Sequence, residues 1–218
     1  MSDYFTHPNR RGAFPPVVQS LLIGNCIIFL LQVFGAGDQL IYNFALWPVG
    51  TPPMAPDFQL WQLVTYSFLH GGLLHLFFNM FVLWMFGTQM EYTWGSRRFL
   101  FYYFFCVVGA GLTQLAVVSS GSAGGIYPTI GASGGVFGIL LAFAMRFPNQ
   151  YILLLIPPIP MKAKYFVLII GAITLYFGMS GTAGGIAHFA HLGGMIAGLV
   201  LILYWRGHLP FKPRDRMR

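Results

Sequence analysis

The chain has little charge, and this shortage excludes an ordinary soluble domain. Only 8% of its 218 residues are Asp, Glu, Lys or Arg, whereas 56% are hydrophobic. Soluble domains carry roughly 25% charged residues, so the composition predicts a membrane protein. The net charge of +7 comes from basic residues that are dispersed along the chain rather than gathered in one segment. We therefore attribute them to membrane topology and expect no nucleic-acid partner.

Two further absences concern paired cysteines and a cleavable leader. The two cysteines, Cys26 and Cys106, both lie in apolar stretches, where we predict free, buried thiols rather than a disulfide. The first sixteen residues are polar and irregular, and they lack the short apolar core of a signal peptide. The first apolar stretch is therefore expected to serve as its own insertion signal.

What the sequence does have is long uncharged runs, at residues 12–37, 58–90, 99–145 and 165–205. One membrane span needs about 20 apolar residues, so the last two runs must each turn back at a glycine-rich break. These runs predict an all-α membrane protein built as a bundle of six transmembrane helices. The predicted spans are Val17–Phe34, Leu73–Met90, Phe99–Val118, Ser133–Met145, Tyr165–Met179 and Ile186–Trp205.

The positions of the basic residues predict the orientation of this bundle. With six spans and a cytoplasmic N-terminus, all twelve Lys and Arg fall on the inner side, as the positive-inside rule requires. We therefore predict a cytoplasmic segment at 1–16, a membrane domain at 17–205 and a basic cytoplasmic tail at 206–218. The tail is expected to contact lipid headgroups. No feature of the sequence indicates an oligomeric state.

The connections between the spans carry signals of their own. The outer segment 35–72 is rich in aromatic residues, which settle at the membrane interface, and it predicts an interfacial hairpin between the first two helices. On the inner side, the prolines of segment 155–160 predict a bend. Glu91 falls at a helix C-terminus, where the helix dipole disfavours a negative charge, so we expect it to pair with Arg97 or Arg98.

Polar side chains recur near the outer ends of three predicted spans. The set comprises His70, His75 and Asn79 at the second span, Ser133 at the start of the fourth, and His188 and His191 in the sixth. At 1.5 Å per residue, all of them lie within about the outer third of a ~30 Å hydrocarbon core. Polar groups at this depth are costly unless they are paired or line a hydrated cavity. Their shared depth predicts one polar pit.

Small residues predict that the fourth and sixth helices approach each other closely. Each helix carries one pair of glycines four residues apart, Gly134 with Gly138 and Gly194 with Gly198. Such packing would bring the Ser133 hydroxyl within hydrogen-bond reach of the His191 imidazole, which is the minimum apparatus of an activated nucleophile. No Asp or Glu lies in an outer half-span, so an enzyme built this way uses a dyad.

Three motifs together resemble the rhomboid family of intramembrane serine proteases. They are His70-x4-His75-x3-Asn79, Gly131-Ala-Ser-Gly134 and Ala190-His-Leu-Gly-Gly194, on the second, fourth and sixth predicted spans. Each motif alone is weak, but the combination is specific, and the resemblance covers residues 61–205.

The resemblance implies an intramembrane serine endopeptidase that cleaves single-span membrane proteins near the outer face. Ser133 would be its nucleophile and His191 its general base and acid. His75, Asn79 and the Ser133 backbone N–H would form the oxyanion hole. Phe137 would hold the His191 ring, and segment 177–180 would begin a cap loop over the site.

Other positions receive supporting roles or depart from the family's pattern. Gly131, His70 and His188 are expected to support the site. Many relatives have Trp-Arg in the first outer loop where this chain has Trp61-Gln62, and this departure concerns the structure of that loop rather than the chemistry. The compact plan and the missing leader favour a bacterial plasma membrane over an organellar one.

Less specific interpretations remain open at this stage. Ser133 could act only as a helix N-cap, Asn79 as a hydrogen bond between helices, and the histidines as structural residues. A zinc site is disfavoured because the sequence has no His-Glu-x-x-His motif, and we expect no metal or cofactor. The competing functions are a catalytically silent rhomboid-like binder of membrane proteins and a small transporter. A transporter would usually carry polar groups through to the inner side.

Overall fold

Helices form almost all of the regular structure. The structure is a computed structural model that describes residues 14–50, 55–120, 127–153, 158–180 and 188–210. In chain order its elements are α1 (Pro16–Leu31), α2 (Gly37–Phe44), α3 (Gln62–Thr65), α4 (Leu73–Val82), α5 (Thr88–Trp94), α6 (Ser96–Ser119), α7 (Ser133–Arg146), β1 (Tyr151–Leu153), β2 (Pro160–Lys162), α8 (Ala163–Ser180) and α9 (His188–Trp205). The all-α architecture is thus confirmed, with two three-residue strands that were not anticipated.

Two π-helical turns join short helices into long ones. Gln32–Ala36 connects α1 to α2, and Leu83–Gly87 connects α4 to α5. The first junction bends at Gly35, whose φ is 113°. Glycine adopts this backbone conformation readily, whereas residues with a Cβ are strained in it. The predicted first span therefore ends close to a real bend, and helical chain continues beyond it.

Five helical stretches are long and apolar enough to cross a bilayer. They are Pro16–Phe44, Leu73–Trp94, Ser96–Ser119, Ala163–Ser180 and His188–Trp205. The remaining apolar helix, α7, has 14 residues and a length of about 21 Å, which is short of the ~30 Å hydrocarbon core. Each predicted span coincides with a helix, while the count of six crossings stays a prediction. Residues 186–187 of the sixth predicted span lie outside the described part of the chain.

Helix α7 is the centre of the bundle. It packs against α6 and α9 over most of its length and touches α4 and α8 as well. Its buried residues lie between Gly134 and Ala144. By contrast, α1 and α8 expose most of their apolar side chains, as expected of helices that face lipid. The short helix that begins with Ser133 is therefore enclosed by the longer ones.

The segment between the first two long helices folds back on itself, as the sequence predicts. The Thr65 hydroxyl donates to the Phe44 carbonyl at 2.8 Å, and the Trp61 indole N–H donates to the Asn43 carbonyl at 3.1 Å. These bonds hold α3 beside the end of α2. Residues 51–54 of the segment lie outside the described residues.

Gln62 organises this outer segment from within. Its side chain is 1% exposed, and its Oε1 accepts hydrogen bonds from the backbone N–H groups of Trp47 and Gln59, both at 3.2 Å. The departure from Trp-Arg thus leaves a buried glutamine that connects two parts of the loop. A neutral amide can do this because the partners are neutral backbone donors.

Two expectations need correction. The proline-containing inner segment forms more than a bend, because β1 and β2 pair antiparallel, with Tyr151 opposite Lys162; residues 154–157 lie outside the described residues. Both cysteines are free, as predicted, but only Cys106 is buried, whereas Cys26 is exposed on α1. Most of the predicted N-terminal segment and most of the predicted tail, residues 1–13 and 211–218, are also outside the described ranges.

The expected pairing of Glu91 with Arg97 or Arg98 is wrong. Its carboxylate, 3% exposed, accepts hydrogen bonds from the N–H groups of Val17 (3.1 Å) and Val18 (2.8 Å) and from the Ser96 hydroxyl (2.7 Å). The N–H groups at the start of a helix have no acceptor within it, and the positive end of the dipole favours an anion. Glu91 therefore caps α1 from another helix, an arrangement that residue spacing cannot reveal.

Removing this cap should destabilise the bundle. We expect Glu91→Ala to lower the free energy of unfolding by roughly 2–4 kcal/mol, because buried donors lose a charged acceptor. Glu91→Gln, which keeps one acceptor oxygen, should lose less. Thermal unfolding in detergent measures both, with Asp38→Ala, at an exposed acidic residue on α2, as the control. A loss no larger than that of the control would contradict the capping role.

Candidate active site

Ser133 is the first residue of α7, the position that the glycine-rich motif predicts. Gly131, two residues earlier, has φ of +125°, a backbone conformation in which a residue with a Cβ is strained. This turn directs the chain into the helix so that Ser133 lies among N–H groups that have no intrahelical acceptor. An anion near the Ser133 hydroxyl would therefore be favoured by the helix end.

The turn before Ser133 is held by two other parts of the fold. The Gly131 N–H donates to the Tyr66 carbonyl at 2.9 Å, and the Tyr66 hydroxyl donates to the Val107 carbonyl at 2.8 Å. Thr129 and Leu46 exchange two backbone hydrogen bonds at 2.9 and 3.0 Å. The outer segment and α6 thus fix the position of the serine.

The Ser133 hydroxyl and the His191 imidazole meet. Ser133 Oγ and His191 Nε2 are 2.8 Å apart, a hydrogen bond that connects the first turns of α7 and α9. This hydrogen bond depends on the predicted close approach of α7 and α9. A Cβ added at Gly194 would collide with the Gly134 carbonyl oxygen. Gly138 and Gly198 also make room for α6, through Cys106 and Tyr102. Small residues thus bring a hydroxyl and an imidazole from separate helices into contact.

The His191 ring is held flat by an aromatic neighbour. Phe137 lies one turn after Ser133 on α7, and its ring stacks on the imidazole with centroids 4.2 Å apart and an interplanar angle of 7°. Stacking restricts the rotation of the imidazole about its side-chain bonds. Nε2 therefore stays directed at Ser133 although no carboxylate is present at this position.

His75 lies beside the Gly131 turn that precedes Ser133. A Cβ added at Gly131 would be 2.9 Å from His75 Nε2 and 3.7 Å from Ser133 Oγ, so glycine leaves room for the imidazole beside the hydroxyl. The Gly71 N–H points to His75 Nδ1 at 3.4 Å, a long hydrogen bond in which Nδ1 accepts. In a neutral imidazole the proton is then on Nε2, the ring nitrogen that lies next to Gly131.

Asn79 lies one turn further along α4 and is 5% exposed. Its Nδ2 donates to the His75 carbonyl at 3.0 Å, which fixes the amide on the same helical face as the imidazole. An amide nitrogen carries two hydrogens, so the second one remains available for another acceptor. The four-residue spacing predicted that His75 and Asn79 share one face of α4, and this face therefore carries hydrogen-bond donors.

Two more histidines lie near the site: His70 is next to His75, and His188 is next to His191. The His70 ring is 5.1 Å from that of His75 and is 2% exposed. Its backbone N–H and C=O bond the side-chain amide of Gln32 at 3.0 and 3.2 Å.

His188 lies between His191 and the end of α8. Its ring is 6.1 Å from that of His191, nearly perpendicular to it, and 5.8 Å from the Phe177 ring, which is stacked. The proposed cap loop begins here at Phe177–Ser180, and its glycine-rich continuation, residues 181–187, lies outside the described residues. His188 therefore connects α8 to the candidate site.

Sequence reasoning missed several residues that build this site. Tyr66 and Thr129 fix the turn through backbone hydrogen bonds, and the Gln32 side chain bonds the backbone of His70 before α4. No motif points to these residues. Backbone contacts depend on the path of the chain rather than on residue spacing. Within the described ranges, no three His, Cys, Asp or Glu side chains converge at metal-binding distance.

Comparisons with known proteins agree with these motifs. Residues 57–207 match the family model described as Rhomboid domain. The chain is 30% identical over 201 residues to "Rhomboid protease GlpG" of Photorhabdus laumondii subsp. laumondii, covering 92% of this chain and 65% of that protein. It is also 30% identical over 195 residues to the protein of the same name from Yersinia pestis (strain Pestoides F), with 89% and 64% covered.

The chain thus spans slightly less than two thirds of the length of these curated relatives. The apolar helices and these matches together make it an integral, multi-pass membrane protein.

Proposed function

The chain belongs to the rhomboid family, and on that premise we propose that it is an intramembrane serine endopeptidase. Its substrates are single-span membrane proteins, whose transmembrane segment unwinds into the pit and is hydrolysed. The observation that carries the proposal is the 2.8 Å contact between Ser133 Oγ and His191 Nε2 beside donors on α4. The nucleophile and its base come from two different helices. The position of each side chain is therefore not explained by packing within its own helix.

Catalysis begins with the transfer of the Ser133 hydroxyl proton to His191 Nε2. The serine oxygen attacks the scissile carbonyl carbon and forms a tetrahedral intermediate. His191 then gives the proton to the leaving amine nitrogen as the C–N bond breaks. A water molecule, deprotonated by the same imidazole, hydrolyses the acyl-enzyme and regenerates Ser133. The Phe137 ring keeps the imidazole in place through both halves of the cycle.

The charge on the carbonyl oxygen is stabilised by an oxyanion hole. Its donors are the Nε2–H of His75, the free N–H of the Asn79 amide and the backbone N–H of Ser133. The tautomer of His75 that Gly71 favours carries the proton on Nε2. Donors that are fixed in place before the reaction stabilise developing charge strongly. The glycine at position 131 is needed because any side chain there would displace the His75 ring.

We place the protein in a bacterial plasma membrane with six spans, both termini cytoplasmic and the site near the outer face. The dispersed basic residues support this orientation, and the relatives come from Photorhabdus and Yersinia, which are bacteria. His70 and His188 position their neighbours His75 and His191. The chemistry needs no metal or cofactor.

The alternative is a catalytically silent rhomboid-like binder. Incubating the purified protein in detergent with a fluorescently labelled single-span membrane protein separates the two functions. The protease produces two fragments, whose masses place the cut within or beside the transmembrane segment. A stable complex with an intact substrate would instead indicate a binder.

Loss of Asn79 should slow turnover more than it harms the fold. We expect Asn79→Ala to reduce kcat by about 10- to 1000-fold, by comparison with other oxyanion donors. The matched control is Asn25→Ala, because Asn25 is also buried and donates to the carbonyl four residues earlier, at 2.7 Å, but on α1. Steady-state kinetics and thermal unfolding of both variants make the comparison. Equal loss of kcat in the two variants would show that Asn79 acts only through packing.

A further inference from the structure

The end of the bundle opposite Ser133 carries a cationic surface that the proposed chemistry does not use. It consists of Arg146 at the end of α7, Lys162 on β2, Lys164 in α8 and Arg206 after α9, and we name these four residues the basic corner. The Arg206 guanidinium donates to the Met145 carbonyl at 3.4 Å. The Ala163 and Lys164 N–H groups donate to the Gln150 and Pro148 carbonyls at 2.8 and 3.2 Å. These bonds gather the hairpin and three helix ends in one place.

Helix electrostatics accounts for only half of the basic corner. Arg146 and Arg206 lie near helix C-termini, where the dipole favours a cation. Lys162 and Lys164, however, flank the first residue of α8, at the positive end of that helix. A cation there is disfavoured by the dipole, so the helix end does not account for the two lysines, and of the reasons given above only membrane topology does.

No acidic side chain in the described part of the chain balances these lysines. The acidic residues there are Asp38, Asp57 and Glu91. Asp38 and Asp57 belong to the outer segment, and the Glu91 carboxylate is bound to the start of α1. The lysine ammonium groups instead lie over aromatic rings, Lys162 at 5.8 Å from the Tyr151 centroid and Lys164 at 5.1 Å from that of Tyr165. Among the described residues, these two charges therefore face aromatic rings and no carboxylate.

The hairpin also presents an apolar face beside these charges. Along β1 the side chains alternate: Ile152 is buried in the core, whereas Tyr151 and Leu153 are 64% and 65% exposed. Opposite residues in an antiparallel pair project to the same face, so Lys162 lies on the face of Tyr151. Two exposed apolar side chains and a lysine on one face form the composition that settles where headgroups meet acyl chains.

We propose that this hairpin, with Lys162 and Lys164, binds the phosphate headgroup of an anionic phospholipid while Tyr151 and Leu153 contact its acyl chains. A soluble phosphate would satisfy the lysines but would leave the apolar face uncovered, which is why the occupant is a lipid. In the predicted orientation this lipid belongs to the inner leaflet. The proposal concerns a site separate from Ser133 and stands whether or not the protein cleaves substrates.

Lipid binding to the detergent-purified full chain tests the proposal. Native mass spectrometry compares phosphatidylglycerol with phosphatidylcholine of the same acyl chains, and thermal unfolding compares phosphatidylglycerol with inorganic phosphate. We expect a preference for phosphatidylglycerol that Lys162→Gln/Lys164→Gln weakens by about tenfold to thirtyfold, since each lysine near an anionic headgroup contributes roughly fivefold. The matched control, Arg97→Gln/Arg98→Gln, removes the same charge at the start of α6, outside the hairpin, and should weaken binding less than the double lysine variant does.

Three results would overturn the lipid site: no preference for phosphatidylglycerol in the unaltered chain, equal losses in the two double variants, or stabilisation by inorganic phosphate equal to that by the lipid. Should the double lysine variant not fold, Lys164→Gln alone provides the same comparison with about half of the effect on a logarithmic scale. Unchanged lipid binding in that single variant also counts against the proposal.

Discussion

Ser133→Ala is expected to abolish cleavage of a single-span substrate, with a loss of about a million-fold in kcat. In a soluble serine protease, removal of the nucleophile has an effect of that order, because what remains is only the oxyanion hole and substrate binding. The protein should still fold, since the substitution removes one half-buried hydroxyl and a hydrogen bond worth about 1 kcal/mol. Activity and stability are therefore expected to separate almost completely at this residue.

The control for this variant is Ser20→Ala. Ser20 is an exposed serine on α1 whose hydroxyl donates to the Pro16 carbonyl at 2.8 Å, so the same atom and one hydrogen bond are lost far from the site. Fragment yields over a long incubation, measured beside the unaltered protein, give the ratio of rates. Cleavage by Ser133→Ala at a rate near that of the control would mean that another group is the nucleophile.

Gly194→Ala should damage both the fold and the reaction. A Cβ at this position would collide with the Gly134 carbonyl oxygen and lie 2.8 Å from its carbonyl carbon, so backbone must move. Overpacking of this kind costs about 1–3 kcal/mol of stability. Because Gly134 follows Ser133 and Gly194 follows His191 by one turn, the separation of α7 from α9 also lengthens the contact between hydroxyl and imidazole. A misplacement of about 1 Å lowers turnover by roughly a hundred-fold.

Gly171→Ala provides the comparison, because it makes the same change where there is room. A Cβ at Gly171 on α8 would lie 3.4 Å from the end of the Met195 side chain, an ordinary contact. Alanine also favours helix over glycine, by up to about 1 kcal/mol. We expect this variant to be as stable as the unaltered protein or slightly more stable, with full activity. If Gly194→Ala behaves like Gly171→Ala in thermal unfolding and kinetics, helix α7 and helix α9 are not pressed together as described.

The helices of this fold could be predicted from the sequence because hydrocarbon imposes simple rules. Uncharged runs of span length and glycine-rich breaks located the spans to within a few residues, except that the first helical stretch continues to Phe44. They also located the short helix that begins at Ser133. The approach of α7 to α9 was also predictable, because glycines four residues apart on a membrane helix allow two backbones to pack closely. Membrane burial thus makes periodicity and small residues unusually informative.

The parts that sequence did not predict depend on contacts between distant backbone groups. Glu91 was assigned to a nearby arginine because closeness along the chain is visible in the sequence, whereas the free N–H groups at the start of α1 are not. Tyr66 holds the Gly131 turn through its carbonyl, an atom that every residue has. The β1–β2 hairpin was missed because prolines indicate only where a helix stops. In each case the partner is set by the three-dimensional path of the chain.

At the candidate site, residue types were easier to predict than their geometry. His75, Asn79, Ser133 and His191 were selected by shared depth and by the resemblance of their motifs. The stacking of Phe137 on His191 followed from the resemblance alone. The Gly71 N–H that favours one tautomer of His75 has no signature in the sequence, because it depends on a backbone group in the preceding turn.

The central claim is that His191 activates Ser133, and reaction with a fluorophosphonate probe tests it most directly. Intact-protein mass spectrometry should detect one adduct on the purified chain, and peptide mapping should place it at Ser133. The adduct should be absent from Ser133→Ala and should form far more slowly in His191→Ala, whose serine has lost its base. Modification at another residue, or equally fast labelling of the His191→Ala variant, would contradict the account.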